Sequence, residues 1–154
     1  MSQIEQNNNC QLPAEFTIQD FDGKSNDTGK TLSSFNFTFR DDTTKVNTLC
    51  QFNSSSVSTT PGGLQGRFAC EDGETKFIWE DDEDKLWMIE RVCLGESGSP
   101  MYETAGSIDL HLDCNKTSNC CRSNATEATA RFASVSPIRD PTLRSLRQRR
   151  VMHV

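Results

Sequence analysis

The segment TLSSFNFTFR, at residues 31–40, indicates the fold class more clearly than any other part of the chain. Within it, Phe35, Phe37 and Phe39 alternate with polar residues. Successive side chains of a β-strand point to opposite faces of its sheet, so this spacing places three aromatic rings on one buried face. The segment therefore predicts a strand that covers one side of a hydrophobic core.

Shorter segments of the same kind lie on both sides of this strand. FTIQDF precedes it, and KVNTLCQF, RFACE, KFIWE, KLWMIERV and SIDLHLDC follow, with a weaker strand at residues 131–135. Turn residues separate them: Asp41-Asp42, Asp72-Gly73, a Ser/Thr/Pro/Gly-rich loop at residues 54–66 and the acidic run at residues 80–84. The pattern predicts an all-β domain, a compact antiparallel β-sandwich or β-barrel of about eight short strands.

Charge separates an acidic body from a basic tail. From residue 122 onward there are seven arginines and two acids, a net charge of +5, whereas the preceding 121 residues carry a net charge of −11. Such an acidic body repels phosphate groups, so we expect no nucleic-acid partner. Residues 138–154 are predicted to form a basic tail that is disordered or a short helix, because Asp140-Pro141 is a plausible helix start.

The cysteine content favours disulfide bonds over a metal site. The chain has seven cysteines, which are Cys10, Cys50, Cys70, Cys93, Cys114, Cys120 and Cys121. None has CxxC spacing and only two histidines are present, so a zinc site is poorly supported and we expect no metal. A domain with only 34% apolar residues needs additional stabilisation, which disulfide bonds provide in extracellular proteins. The odd number leaves one cysteine as a free thiol or a dimer bridge.

Glycosylation sequons agree with an extracellular location. Five asparagines precede X-Ser/Thr, and these candidates are Asn26, Asn36, Asn53, Asn115 and Asn124. The start MSQIEQNNNC has no apolar signal region, so we expect that a leader was removed or missed. No segment is long and apolar enough for a membrane span.

Candidates for catalysis are few. Nucleophilic catalysis needs a base, but His111 is predicted to face outward and His153 lies in the tail. GESGSP around Ser97 has only a superficial likeness to a catalytic serine loop. Glycoside hydrolysis needs only two carboxylates, but many of the acids lie in one exposed turn. That turn, residues 80–84, lacks the spacing of a calcium loop. We therefore predict no catalytic residues and no cofactor.

One tryptophan is a candidate for contact with a partner. Trp79 is in phase with Phe77 and is predicted to lie in the core. Trp87 is opposite in phase to Leu86 and Met88, so its ring is predicted to face outward. An exposed indole ring can hold a sugar or a partner protein.

The order of residues in the centre of the chain carries a resemblance. A strand of alternating Phe precedes a strand that ends in Cys50, and a loop then leads to FAC at residues 68–70. A Phe/Trp strand at residues 77–79, an acidic turn and a Leu-rich strand at residues 86–89 follow. This order resembles the Alt a 1-like family of small secreted, cysteine-rich fungal proteins, which includes allergens and effectors that act on plants.

The resemblance implies a compact β-barrel or sandwich, secretion, disulfide bonds and no established catalytic site. It extends over roughly residues 10–137, which we take as the domain, with a flexible N-terminus at residues 1–9. Carried over by position, it implies a Cys50–Cys70 pair.

The family also has an N-terminal cysteine that bridges two subunits, and Cys10 is placed to do this in a disulfide-linked homodimer. Because this chain has the additional Cys93, Cys10 can instead pair within the chain, with Cys93 as the best partner. Cys114 would then pair with Cys120 or Cys121.

Three functions follow from the sequence. The first is a secreted, fungal effector-like interaction protein that acts in the plant apoplast on a host or cell-wall protein or glycan, without catalysis. The alternative is a small secreted hydrolase that uses a carboxylate pair on polysaccharide. The third is a structural, allergen-like protein that dimerises through a cysteine.

Overall fold

Two antiparallel β-sheets make up the computed structural model, which describes residues 10–60 and 66–138. The strands in chain order are β1 (Glu15–Lys24), β2 (Ser34–Asp41), β3 (Val46–Phe52), β4 (Phe68–Ala69), β5 (Thr75–Glu80), β6 (Lys85–Leu94), β7 (Pro100–Asp109), β8 (Leu112–Asn115), β9 (Cys120–Ser123), β10 (Glu127–Arg131) and β11 (Ser134–Pro137). The predicted N-terminus at residues 1–9 and the basic tail beyond residue 138 lie outside the described residues.

The first sheet is organised around β1. It has the order β3-β2-β1-β9-β8, and β10 also pairs with β1. One edge of β1 pairs with β2, whereas its other edge is shared by β10 near the start of the strand and β9 near the end. The register shifts between Gln19 and Asp22, and Asp20 there has a φ of 54°. This irregularity coincides with the point where the partner on the other edge of β1 changes from β10 to β9.

The second sheet has the order β11-β7-β6-β5-β4, with the long strands β6 and β7 at its centre. Three of its four connections are between strands that follow one another in the chain. Between them the two sheets enclose the hydrophobic core, so the predicted sandwich is confirmed and the alternative of a closed barrel is not adopted.

The core is mainly aromatic. Phe35, Phe37 and Phe39 are 3%, 1% and 0% exposed, which confirms the buried face predicted for β2. Phe77 of the opposite sheet packs edge-on against Phe35 and Phe37, with ring centroids 5.6 Å and 5.4 Å apart. Edge-to-face contacts of this kind add to the stabilisation from burial alone. The rings therefore hold the two sheets together.

The described residues form eleven strands rather than about eight. SIDLHLDC was predicted as one strand, but β7 ends at Asp109 in the second sheet and β8 begins at Leu112 in the first. Ile108 and Leu110 both remain buried, so the alternation continues although the chain crosses between sheets. The short strands β9, β10 and β11 also form in a region where only one weak strand was predicted.

Gly106 marks the closest approach between β7 and the corner that follows β10. A Cβ atom at Gly106 would lie 2.5 Å from the carbonyl oxygen of Arg131 and 2.9 Å from Cα of Phe132. Both are backbone atoms, so a side chain here would have to push the corner away. Only glycine fits between the sheets at this position.

We expect Gly106→Ala to lower the free energy of unfolding by about 1–3 kcal/mol, because overpacking forces the backbone to move. Gly73→Ala is the matched control, since a Cβ there would meet no atom within 4 Å. Its effect should stay within about 0.5 kcal/mol. Urea unfolding of both variants measures the difference, and equal midpoints would contradict the close contact.

Candidate functional site

Ser97 and His111 lie at opposite ends of β7. Ser97 is in the turn before this strand and His111 follows it, and both are exposed. The ten residues of β7 span about 30 Å at the usual rise per residue of a strand. A nucleophile and its base must be within hydrogen-bonding distance, so these two residues do not form a catalytic pair. His153 lies outside the described residues.

Two acidic side chains meet inside the sandwich. Asp41 at the end of β2 and Glu90 in β6 are each only 1% exposed. Asp41 Oδ2 and Glu90 Oε1 are buried with no donor among the described residues, and a hydrogen bond between the two carboxyl groups would satisfy both oxygens. A hydrogen bond between two carboxyl groups requires a proton on one of them. Burial, together with the interaction with Asp41, raises the pKa of Glu90 to about 9, so Glu90 carries the proton.

Threonines surround this acid pair. Thr44 donates from Oγ1 to Glu90 Oε2 at 2.7 Å, and its backbone N–H points to Asp41 Oδ1. Thr75 and Thr104 are the cross-strand neighbours of Glu90 and are both fully buried. Because the two carboxyl groups are enclosed, a polysaccharide cannot reach them in this conformation. The pair therefore does not supply the two accessible carboxylates that a glycoside hydrolase needs.

The acidic turn between β5 and β6 is tied to the domain more closely than predicted. Asp81 Oδ1 accepts hydrogen bonds from Trp79 Nε1 at 2.7 Å and from the Leu32 backbone at 3.0 Å. Burial raises the pKa of Asp84, and the charge of Asp81 adds to this shift. Within residues 10–60 and 66–138, no three His, Cys, Asp or Glu side chains come together as a metal site.

Trp87 lies on the outer face of the second sheet. Its neighbours in β6, Leu86 and Met88, are fully buried on the inner face, whereas Trp87 is half-buried. Its indole Nε1 donates to Glu80 Oε1 at 2.6 Å, which fixes the ring against the strand next to it. Ser107 on β7 is its small cross-strand neighbour. The outer face therefore holds an aromatic ring in one orientation beside a small side chain.

Basic side chains lie on the same face, and we call Arg67, Lys76 and Arg91 the basic cluster. Glu103 bridges the two arginines, with contacts of 3.3 Å to Arg67 Nη1 and 3.3 Å to Arg91 Nε. Burial lowers the pKa of Lys76, and the charges of Arg91 and Arg67 lower it further. The cluster is thus a local excess of positive charge on an acidic domain. The sequence did not reveal it, because its members are spread over β5, β6 and the segment before β4.

Six of the seven cysteines form disulfide bonds in the structure. They join Cys10 to Cys93, Cys50 to Cys70, and Cys114 to Cys121. The first bond occupies the N-terminal cysteine within its own chain. Cys120 has a free, half-buried thiol.

The sequon asparagines all lie at the surface. Asn26, Asn36, Asn53, Asn115 and Asn124 are exposed. Asn36 lies in the middle of β2, and the other four lie in turns or at strand ends.

Comparison with known proteins gives a result for the fold. No protein-family model and no curated protein matches the sequence. Among solved structures, a crystal structure of the Alternaria alternata allergen Alt a 1 matches with a TM-score of 0.56 and 14% identity, covering 80% of this chain and 90% of the allergen chain. The chain has the Alt a 1-like fold. A second crystal structure, of the Alternaria alternata major allergen Alt a 1, matches with a TM-score of 0.54 and 14% identity, covering 82% and 95% of the two chains.

The Alt a 1-like fold confirms the architecture implied by the resemblance of the sequence. An identity of 14% gives no residue-by-residue transfer of a binding site. The candidate site therefore rests on the side chains of this chain, above all Trp87 and the basic cluster. Within the part of the chain that the structure describes, no helix is long and apolar enough to cross a membrane.

Proposed function

We propose that this chain is a secreted, fungal effector-like interaction protein that acts in the plant apoplast without catalysis. Its partner is a host or cell-wall component, which it contacts through the outer face of the second sheet. The observation that carries the proposal is Trp87, a half-buried indole ring held by Glu80 on a sheet face that also presents the basic cluster. Aromatic rings presented in this way are enriched at binding surfaces.

Two further features support an extracellular site of action. Disulfide bonds persist in oxidising compartments and are rare in the cytosol, and this domain has three. The five sequon asparagines are exposed and, in our proposal, are available for glycosylation. The fold is that of an allergen from a fungus, which agrees with a fungal origin.

Binding is better supported than hydrolysis. Asp41 and Glu90 are a carboxyl pair that the fold brings together, and both are only 1% exposed. Trp87, by contrast, is accessible from solvent. The site that a polysaccharide or protein can reach is therefore a surface for contact, whereas the carboxyl pair is enclosed.

The proposal is tested by binding of the purified protein to isolated plant cell walls and to apoplastic proteins. We expect Trp87→Ala to weaken binding at least tenfold, about 1.4 kcal/mol, because it removes the ring. Trp87→Phe, which keeps an aromatic ring without the indole N–H, should retain most of the affinity. Equal binding by wild type and Trp87→Ala would overturn the proposal.

Hydrolysis is assayed in the same samples as release of reducing ends from plant polysaccharides. We expect none from the wild-type protein. If the wild-type protein releases reducing ends, and variants with exposed carboxylates replaced do not, the hydrolase function would be favoured instead.

A further inference from the structure

The outer face of the second sheet arranges a ring and three cations at fixed spacing. Trp87, Ile89 and Arg91 alternate along β6, and Lys76 of β5 lies directly opposite Ile89. Diagonal neighbours across two strands are about 7–8 Å apart, so Lys76 is next to Trp87. Arg91 is four residues from Trp87, about 13 Å along the strand. The face therefore places Lys76 about 7–8 Å and Arg91 about 13 Å from Trp87, measured along the backbone of the sheet.

The three positive charges of the basic cluster are only partly offset by the acids beside them, Glu74 and Glu103. Glu103 is shared by Arg67 and Arg91, and Lys76 forms no salt bridge with any described residue. Arg67 Nε is also buried without a hydrogen-bond partner there. Burial is the main cause of the lowered pKa of Lys76, and the neighbouring Arg91 and Arg67 lower it further, which agrees with an excess of positive charge. An anion at this position would relieve the repulsion and give the Lys76 ammonium group an acceptor.

Building on the proposed function, we infer that this face binds a short acidic oligosaccharide. One sugar ring lies on Trp87, and the carboxylates of its uronic acid units meet Lys76 and the two arginines. The arginine guanidinium group is suited to carboxylate, which it can bind through two N–H groups. The distance from Trp87 to Arg91 corresponds to about two or three sugar units.

Two features of the protein favour a short acidic sugar over other anionic partners. The ring of Trp87 offers a flat apolar surface, which pyranose rings can cover and which an acidic peptide does not require. The body of the domain is otherwise acidic, with a net charge of −11 over residues 1–121, so a long polyanion would be repelled beyond the cluster. Arg91 also borders a cleft of about 520 Å³ between the β6–β7 turn and Pro137, which gives room for a further sugar.

The experiment uses the full chain and oligogalacturonides of three to five units, with affinity measured by calorimetry. The matched ligand is the methyl-esterified oligomer, which keeps the rings and loses the charges, and a short poly-glutamate peptide is the second comparison. We expect the free acid to bind at least tenfold more tightly than either. Binding should weaken as salt is added, because added ions screen the charges.

Variants separate the two halves of the site. Lys76→Gln and Trp87→Ala should each lower the affinity about tenfold or more. Lys116→Gln is the matched control, because Lys116 is an exposed lysine in the turn between β8 and β9, away from this face. Glu103→Gln should raise the affinity, since it frees both arginines, and thermal unfolding of each variant checks that the fold persists.

The outcomes distinguish the inference from the proposed function. If the esterified and free oligomers bind equally well, or if Lys76→Gln binds like wild type, the acidic-sugar inference is wrong. Binding to cell walls that depends on Trp87 would then still support the proposed function. If poly-glutamate binds as tightly as the oligogalacturonide, the partner is an acidic protein and the inference is likewise overturned.

Discussion

The free energy of unfolding is expected to fall as the pH rises from 4.5 to about 9, because Glu90 ionises in the unfolded chain while it keeps its proton in the fold. In the unfolded chain Glu90 titrates near 4.5, whereas burial and Asp41 raise its pKa to about 9 in the fold. Its contribution to stability is therefore complete below pH 4.5 and is lost as the pH approaches 9. The loss is at most about 1.4 kcal/mol per pH unit, and several kcal/mol in total.

Glu90→Gln tests this expectation directly. Glutamine has nearly the same shape, and its amide can donate to Asp41 without titrating. The variant should have a much flatter dependence of stability on pH between 5 and 9, measured by urea unfolding at each pH. Glu96→Gln, in an exposed turn, is the control and should follow the wild-type curve. If wild type and Glu90→Gln have the same curve, the shared proton is ruled out.

Removing the disulfide bond between Cys10 and Cys93 is the second change with a large expected effect. The Cys10–Cys93 bond closes a loop of 83 residues, whereas the Cys114–Cys121 bond closes a loop of 7. In the chain-entropy model these loops correspond to about 4.5 and about 2.5 kcal/mol of stabilisation. Replacing Cys10 and Cys93 by alanine should therefore cost about 2 kcal/mol more than replacing Cys114 and Cys121.

Denaturant unfolding of the two double variants gives this comparison. Cys120→Ser is the control, because it removes the free thiol and should leave stability unchanged. On non-reducing gels it should also abolish any disulfide-linked dimer, since Cys10 is occupied within the chain. Mass spectrometry should find a single free thiol in the wild type. A larger loss from the Cys114–Cys121 variant would show that loop length does not govern these bonds.

The sequence predicted those parts of the fold in which one face of a strand is apolar. Alternation located the buried rings of β2 and the inner face of β6, and it predicted that Trp87 points outward. The same alternation also carries a signal for the acid pair. Asp41 is in phase with the buried Phe39, and Glu90 is in phase with the buried Met88. A carboxylate at such a position needs a partner inside the domain.

Other features depend on contacts that no local pattern encodes. The basic cluster forms because Arg67 and Arg91 share Glu103 across strands that are distant in the sequence. The division of SIDLHLDC between two sheets depends on the crossing near Leu110, where the hydrophobic pattern continues without a break. The strands β9 and β10 contain few apolar residues, and they form because β1 offers them a free edge.

Because β1 pairs with strands from the end of the domain, the first sheet cannot be completed early in synthesis. Thr17 of β1 pairs with Thr129 of β10, and their hydroxyl groups are 3.0 Å apart. While the chain is being synthesised, the first strand therefore has only β2 beside it until β9 has been made, and its pairing is complete only after β10. Contacts between such distant residues are formed slowly, so we expect folding to finish after synthesis rather than during it. In a secreted protein the finished form would then be reached in the compartment where its disulfide bonds are made.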